Sequence, residues 1–156
     1  MVMSGVLAAL DGRRPAPHEF IFMNEAGVVA EGSVSNLFIV NHALDTRLRI
    51  SQVKGGVKAK RLLTPAARSG ILRGVTRGTV IDLAKKRGLS VAETLLTRHD
   101  IYSAEECFMA NTSSEVLPVV SVDGRDIAAG KPGVITQTLA QDFKKYVHRT
   151  LGNSKK

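Results

Sequence analysis

The sequence predicts an α/β or α+β domain built on a mixed sheet, and three observations carry that prediction. Short apolar or alternating runs bounded by turn residues (HEFIFMN, VVAEG, LFIV, LSVAETLL, CFMA and LPVVSVDG) outnumber the helical stretches. Two stretches, GVTRGTVIDLAKKRG and the segment from Pro132 to Leu151, repeat apolar residues at helical spacing. The strands and helices alternate irregularly and no internal repeat is present. A chain of 156 residues is long enough for one domain with its own core, and with aromatic residues at 4% and no Trp that core is aliphatic.

Taken in order, MVMSGVLAAL reads as the end of an amphipathic helix, stopped by the turn cluster DGRRPAP. HEFIFMN alternates up to the turn NEAG (24–27) and VVAEG resumes, which is a strand, a turn and a strand. LFIV (37–40) is a third strand. Residues 41–61 are polar, basic and Gly-containing, a long hairpin or mobile insertion that leads into LLTP (62–65). In the helix that follows, Val80, Leu83 and Ala84 share a face with Ile81 beside them. Lys85, Lys86 and Arg87 complement the dipole in its last turn, and Gly88 is a natural residue to follow the helix. LSVAETLL (89–96) is a strand, a short helix opens near Asp100, and CFMA is the next strand. LPVVSVDG reads as one strand closed by the turn DGRD (123–126). In the last helix Val134, Thr138, Leu139, Phe143 and Val147 recur on one face.

Composition narrows the function classes. The single cysteine, Cys107, rules out an internal disulfide framework and a Cys-cluster metal site, and reads as a small buried hydrophobe; no metal is expected. No apolar run approaches the roughly 20 residues of a membrane span. The first residues lack a basic n-region, so a cytoplasmic protein is expected. The net charge of +8 raises the question of nucleic acid. The basic residues are scattered, no recognition motif accompanies them and stacking aromatics are lacking, so a solvated basic face is expected and no nucleic-acid partner.

Three stretches carry possible chemistry. In SGILRGVTR (69–77), glycines and an arginine run directly into the helix, with Thr76 in its first turn. The unpaired N–H groups and positive dipole end of a helix start suit an anion, although most such turns only cap the helix. ANTSSEV (110–116) is a small polar loop between two strands, a common place to hold a phosphate or carboxylate. Glu31 lies beside the strand LFIV, where a carboxylate is costly unless it is exposed or faces a cation.

Together these stretches resemble a family. VVAEGSVSNLFIV, then TP, SGILRGVTRGTVIDLAKKRGL, AEECFMANTSSEVLPVVSVDG and GKPGVITQTL are similar, in that order, to class IV aminotransferases. These are the fold-type-IV pyridoxal-phosphate (PLP) enzymes, which include branched-chain and D-amino-acid aminotransferases and aminodeoxychorismate lyases. The resemblance runs from about Glu19 to Leu139. It implies an α/β fold whose mixed sheet partly closes into a barrel with flanking helices, the large domain of such enzymes. It also implies transfer of an amino group between an amino acid and a 2-oxo acid, most simply of branched-chain type, in a homo-oligomer. The lyase reaction shares the scaffold and stays open as the alternative.

The resemblance assigns roles residue by residue. Glu31 would pair with the pyridine nitrogen of PLP and keep the ring protonated. Leu72 would pack against the ring, and the N–H groups of Val75 and Thr76, with the Thr76 hydroxyl, would bind the phosphate. Thr112 would add a phosphate contact, the Thr112–Ser113 backbone would meet a substrate carboxylate, and Asn36 would shape the loop behind Glu31.

There are departures as well. The family forms its Schiff base through a lysine on a strand before this glutamate, whereas no lysine of this chain precedes Lys54. Lys54, Lys58 and Lys60 fall in a polar stretch with no reason to reach the cofactor. No catalytic lysine is therefore assigned. The expectation is a C-terminal cofactor domain over 19–156, preceded by the remnant of an interdomain segment over 1–18. The family's N-terminal domain is absent on this reading, and the chain alone is an incomplete, catalytically impaired or non-catalytic PLP-binding fragment.

Overall fold

The run LFIV does not alternate because both faces of its strand are covered. A computed structural model describes residues 2–7, 19–42 and 60–153. In it LFIV forms the centre of a strand, β4 (Asn36–His42). Leu37 and Ile39 enter one apolar cluster with Ile21, Val29 and Met109, while Phe38 and Val40 enter another with Val80, Phe108 and Leu139. Its antiparallel neighbour β7 (Glu106–Asn111) divides in the same way. Phe38 and Phe108 pair across the two strands and stack with ring centroids 4.9 Å apart. Cys107 lies in the other cluster, and burial pushes its thiol far up, so it is an inert apolar side chain.

Around this pair stands a five-stranded sheet in the order β6-β5-β4-β7-β8, with β5 at Lys60–Pro65, β6 at Ser90–Thr94 and β8 at Glu115–Val119. All its pairs are antiparallel except β5 and β6. That parallel pair needs a crossover, which a 3-10 turn (Ala67–Ser69) and helix α1 (Val75–Lys86) provide. Val80, Ile81 and Ala84 of α1 are buried against the sheet, and Gly88 takes the left-handed conformation just past the helix end.

The second sheet is antiparallel, in the order β10-β9-β1-β2-β3. Its members are β10 (Arg125–Asp126), β9 (Ser121–Val122), β1 (Val2–Leu7), β2 (Glu19–Met23) and β3 (Val29–Gly32). Val2–Leu7 are thus a strand, not the end of a helix. Val2–Val6 pair with Glu19–Met23, and Val6 and Leu7 with Ser121 and Val122. These long-range ladders satisfy the backbone of a run too short to hold a helix by itself. LPVVSVDG is likewise two strands rather than one: the chain leaves β8 at Val119 and enters the other sheet at Ser121. Asp123 and Gly124, both at positive φ, make the tight turn into β10.

Two more helices complete the fold. In α2 (Arg98–Tyr102), Thr97 and Asp100 form a reciprocal capping box. In α3 (Val134–Asn153), Leu139 and Phe143 are buried and Val147 packs partly against the core, but Val134 is 74% exposed and is not a core residue. The cause lies on β7. The buried carboxylate of Glu106 accepts the N–H groups of Ile135 (3.1 Å) and Thr136 (2.7 Å) and the Thr136 hydroxyl (2.8 Å). This cap turns Ile135 and Thr136 toward the sheet and Val134 away from it.

Among the described residues the strands form two sheets and no closed barrel. The sheets are joined by the chain passing from β8 to β9 and, at the other side, by a bridge between Val28 and Thr97 with the Val29 N–H on the Leu96 carbonyl at 2.8 Å. The segment expected as an insertion lies, between His42 and Lys60, outside the described residues. Among those described, no helix is long and apolar enough to cross a membrane.

Candidate functional site

Strand β3 ends at Glu31 and Gly32, and the chain turns back through Ser33–Ser35 into β4. Glu31 is half-buried at this bend. Its Oε2 accepts the Leu72 N–H at 2.9 Å and Asn36 Nδ2 at 3.1 Å. The same Nδ2 donates to the Leu72 carbonyl at 2.9 Å, so Asn36 ties the glutamate to the chain entering α1. No described residue donates to the other oxygen, Oε1. Glu31 therefore presents a fixed carboxylate with one oxygen free for a cationic or N–H partner. It lines a cleft of about 350 Å³ with Phe22, Met23, Asn24, Ala30, Ser69 and Gly70.

The start of α1 lies next to this bend. Gly74 is its N-cap, with no side-chain cap, and no described residue accepts the N–H groups of Val75 and Thr76. Such groups, with the helix dipole, favour an anion. A Cβ on Gly74 would collide with Asn36 Oδ1, so glycine permits the close approach of the helix start to Asn36. Leu72 and Val75 are 73% and 87% exposed, whereas Thr76 is buried. Arg77 in the same turn is not aimed at an anion. It is buried and donates to the Pro65 carbonyl at 3.0 Å and to Glu93 Oε2 at 2.8 Å, which anchors the helix on β5 and β6. That hydrogen bond holds the Glu93 carboxyl below its ordinary range.

Thr112 and Ser113 are exposed on the turn between β7 and β8. Asn36, opening β4, pairs with Ala110 near the end of β7, so this turn and the Glu31 bend share one end of the sheet. The link is direct: Asn111 Nδ2 donates to Ser35 Oγ at 2.8 Å. The structure thus brings Glu31, Leu72, the α1 start and the Thr112 turn to one end. Leu72, Val75, Thr76 and Thr112 do not line the Glu31 cleft itself. Lys60 is at the opposite end, paired in register with His42 and ion-paired to Glu105 at 3.2 Å. Lys54 and Lys58 lie outside the described residues.

Sequence reasoning missed one residue of this end, Glu19. It is buried and accepts bonds from Val34 and Ser35. The signal was its parity: in HEFIFMN it shares a face with the buried Ile21 and Met23.

Comparison with known proteins supplies the family. The model of the family described as "Amino-transferase class IV" matches residues 2–122. The chain belongs to the class IV aminotransferases. It is 36% identical over 141 residues to the branched-chain-amino-acid aminotransferase of Escherichia coli K12, covering 90% of this chain and 40% of that one. The crystal structure of the E. coli branched-chain amino acid aminotransferase superposes with a TM-score of 0.65 at 36% identity, over 80% of this chain and 36% of that chain. The branched-chain amino acid aminotransferase of Thermobaculum terrenum, solved in its PLP form, gives a TM-score of 0.66 at 36% identity, over 82% of this chain and 36% of that one. The chain spans about two fifths of the length of the curated relatives it matches. These class IV structures are α/β with a mixed sheet, as is this chain.

Proposed function

We propose that this chain supplies the cofactor-binding part of a PLP-dependent aminotransferase of branched-chain type, moving an amino group between an amino acid and a 2-oxo acid. The observation that carries the reading is Glu31: half-buried, one oxygen fixed by the Leu72 N–H and Asn36, the other unused by any described residue. The residues fit the cofactor's chemistry, since a half-buried carboxylate with an unused oxygen calls for a cation and the uncapped start of α1 calls for an anion. Bound here, PLP supplies the electron sink for breaking a bond at an amino acid's α-carbon.

The chain's own residues divide the remaining work. Glu31 would hold a proton on the ring nitrogen, and the exposed Leu72 side chain would pack against the ring. The N–H groups of Val75 and Thr76, with the Thr76 hydroxyl, take the phosphate. Thr112 adds a hydroxyl to it, and the Thr112–Ser113 backbone receives the substrate carboxylate. The names of the relatives favour branched-chain substrates. We assign the cofactor domain to residues 19–156, with β1 adding residues 2–7 to its second sheet. The Val28–Thr97 bridge and the β8–β9 passage support a partial closure of the two sheets toward a barrel. The exposed Val34, Leu72 and Val75 support association with another copy.

The test is a titration with PLP followed by a panel of L- and D-amino acids. Saturable binding, competed by inorganic phosphate and weakened by Glu31→Gln, is expected; no binding overturns the reading. No lysine precedes Lys54 and Lys60 stands at the far end, so binding without turnover is expected from the chain alone. Steady release of 2-oxo acid would contradict that part.

A further inference from the structure

Two stretches of the site are far apart in sequence, yet a hydrogen bond between Asn111 and Ser35 joins them, and the line it belongs to ends on a buried residue outside both, Glu19. The Val34 N–H donates to Glu19 Oε1 and the Ser35 hydroxyl to Glu19 Oε2, each at 2.7 Å. Ser35 Oγ in turn accepts Asn111 Nδ2 at 2.8 Å, and Asn111 Oδ1 accepts the Ser114 N–H. Glu19 and Ser35 are buried at 7% and 5% exposure, so water does not substitute freely for these bonds. Gly32 is part of the device: a Cβ there would collide with Glu19 Oε1.

We propose that Glu19 is a positioning residue that locks the Glu31 bend to the Thr112–Ser113 turn, and so sets the ring-nitrogen partner and the substrate-carboxylate turn in one register. Its consequence for the ligand rests on the PLP reading above; the lock itself does not. The chemistry requires a carboxylate. Val34 and Ser35 both donate, to different oxygens of Glu19, and Ser35 can donate there because its own lone pair already faces the Asn111 amide. Glutamine offers one acceptor and two donors. With its oxygen toward Ser35, its NH₂ confronts the Val34 N–H; with its oxygen toward Val34, its NH₂ is accepted by the second lone pair of Ser35 Oγ only if the Ser35 proton turns out of the line and is left buried without this acceptor. Either way one of the two donations to residue 19 is lost. A signal sent through Ser35 also has a polarity: the line runs from Ser114 to Asn111 to Ser35 to Glu19, every donor pointing the same way, so a break at Glu19 frees Ser35 to rotate and releases Asn111.

The experiment uses the whole chain with three variants, Glu19→Gln, Ser35→Ala and their combination. Amide hydrogen exchange is read without cofactor at Val34, Ser114 and, as a reference in the middle of β4, Val40. Glu19→Gln is expected to raise exchange at both Val34 and Ser114 by tenfold or more, with Val40 unchanged. Ser35→Ala is expected to raise Ser114 alike, and adding Glu19→Gln to it is expected to leave Ser114 where it was. An unchanged Ser114 in Glu19→Gln overturns the lock, as does a rise of equal size at Val40, which would report only lost stability. Should Glu19→Gln not fold, Ser35→Ala and Asn111→Ala test the line from its middle and far end by the same readout. PLP titration of the same proteins separates the two claims. A several-fold, non-additive loss of affinity in Glu19→Gln and Ser35→Ala supports the lock's role at the site. Absence of binding by the unaltered chain fails the cofactor reading, while the exchange data still decide the lock.

Discussion

Asn36 holds Glu31 and Leu72 with a single amide nitrogen: Nδ2 lies 3.1 Å from Glu31 Oε2 and 2.9 Å from the Leu72 carbonyl. The carboxylate is thereby fixed by two donors while its second oxygen is left for a ligand. Loss of this side chain frees Glu31 to turn and unties the chain leading into α1. Asn36→Ala is expected to weaken PLP binding about tenfold, the worth of roughly one charge-assisted hydrogen bond. Asn36→Asp is expected to be worse, since it sets a like charge against Glu31. Fluorescence titration of both variants checks the order; unchanged affinity in both would count against the role given to Asn36.

The long C-terminal helix depends on a strand residue. Glu106 is buried and accepts two backbone N–H groups and a hydroxyl at the start of α3. Glu106→Ala leaves those donors buried without acceptors and is expected to cost about 3 kcal/mol of stability. Urea unfolding measures it, and a loss below about 1 kcal/mol would show that the cap contributes little.

Two ion pairs, each with one well-exposed and one more buried partner, give the fold an acid limb. Arg77 holds the Glu93 carboxyl below its ordinary value, and the two-pronged pair of Arg87 with Asp142 (2.6 and 2.7 Å) does the same to Asp142. A carboxyl depressed in the folded state binds its proton more tightly when unfolded. Its contribution is therefore complete above the unfolded value, near 4.5 for Glu93 and 3.8 for Asp142, and is lost as pH falls through the lower folded value. Stability measured from pH 6 downward is expected to fall less steeply in Asp142→Asn than in the unaltered chain. The Glu93 carboxylate and the Arg87 guanidinium are about half exposed, so water screens each pair and the effect of each is small. Parallel curves would contradict the assignment.

Much of this was legible in the sequence because the deciding signals are local. The run LFIV is apolar throughout because β4 is covered on both faces, and GVTRGTVIDLAKKRG carries its own start, face and stop. Glu31, Leu72 and Thr76 stand in local patterns too. What escaped the reading is what distant chain decides. MVMSGVLAAL has no strand signature of its own; β2 and β9 make Val2–Leu7 a strand by pairing with it. Val134 fits the helical period of α3, but the register of that helix is set by Glu106 on another element. Glu19 drew no assignment from its own stretch; Val34 and Ser35, brought to it by the fold, give its carboxylate its partners.

The central claim is that Glu31 is the partner of the PLP ring nitrogen. The direct measurement is the ¹⁵N chemical shift of ring-labelled PLP bound to the chain and to its Glu31→Gln variant at neutral pH. A protonated nitrogen in the unaltered chain, replaced by an unprotonated one in Glu31→Gln, is the predicted result. The same shift in both proteins would contradict it.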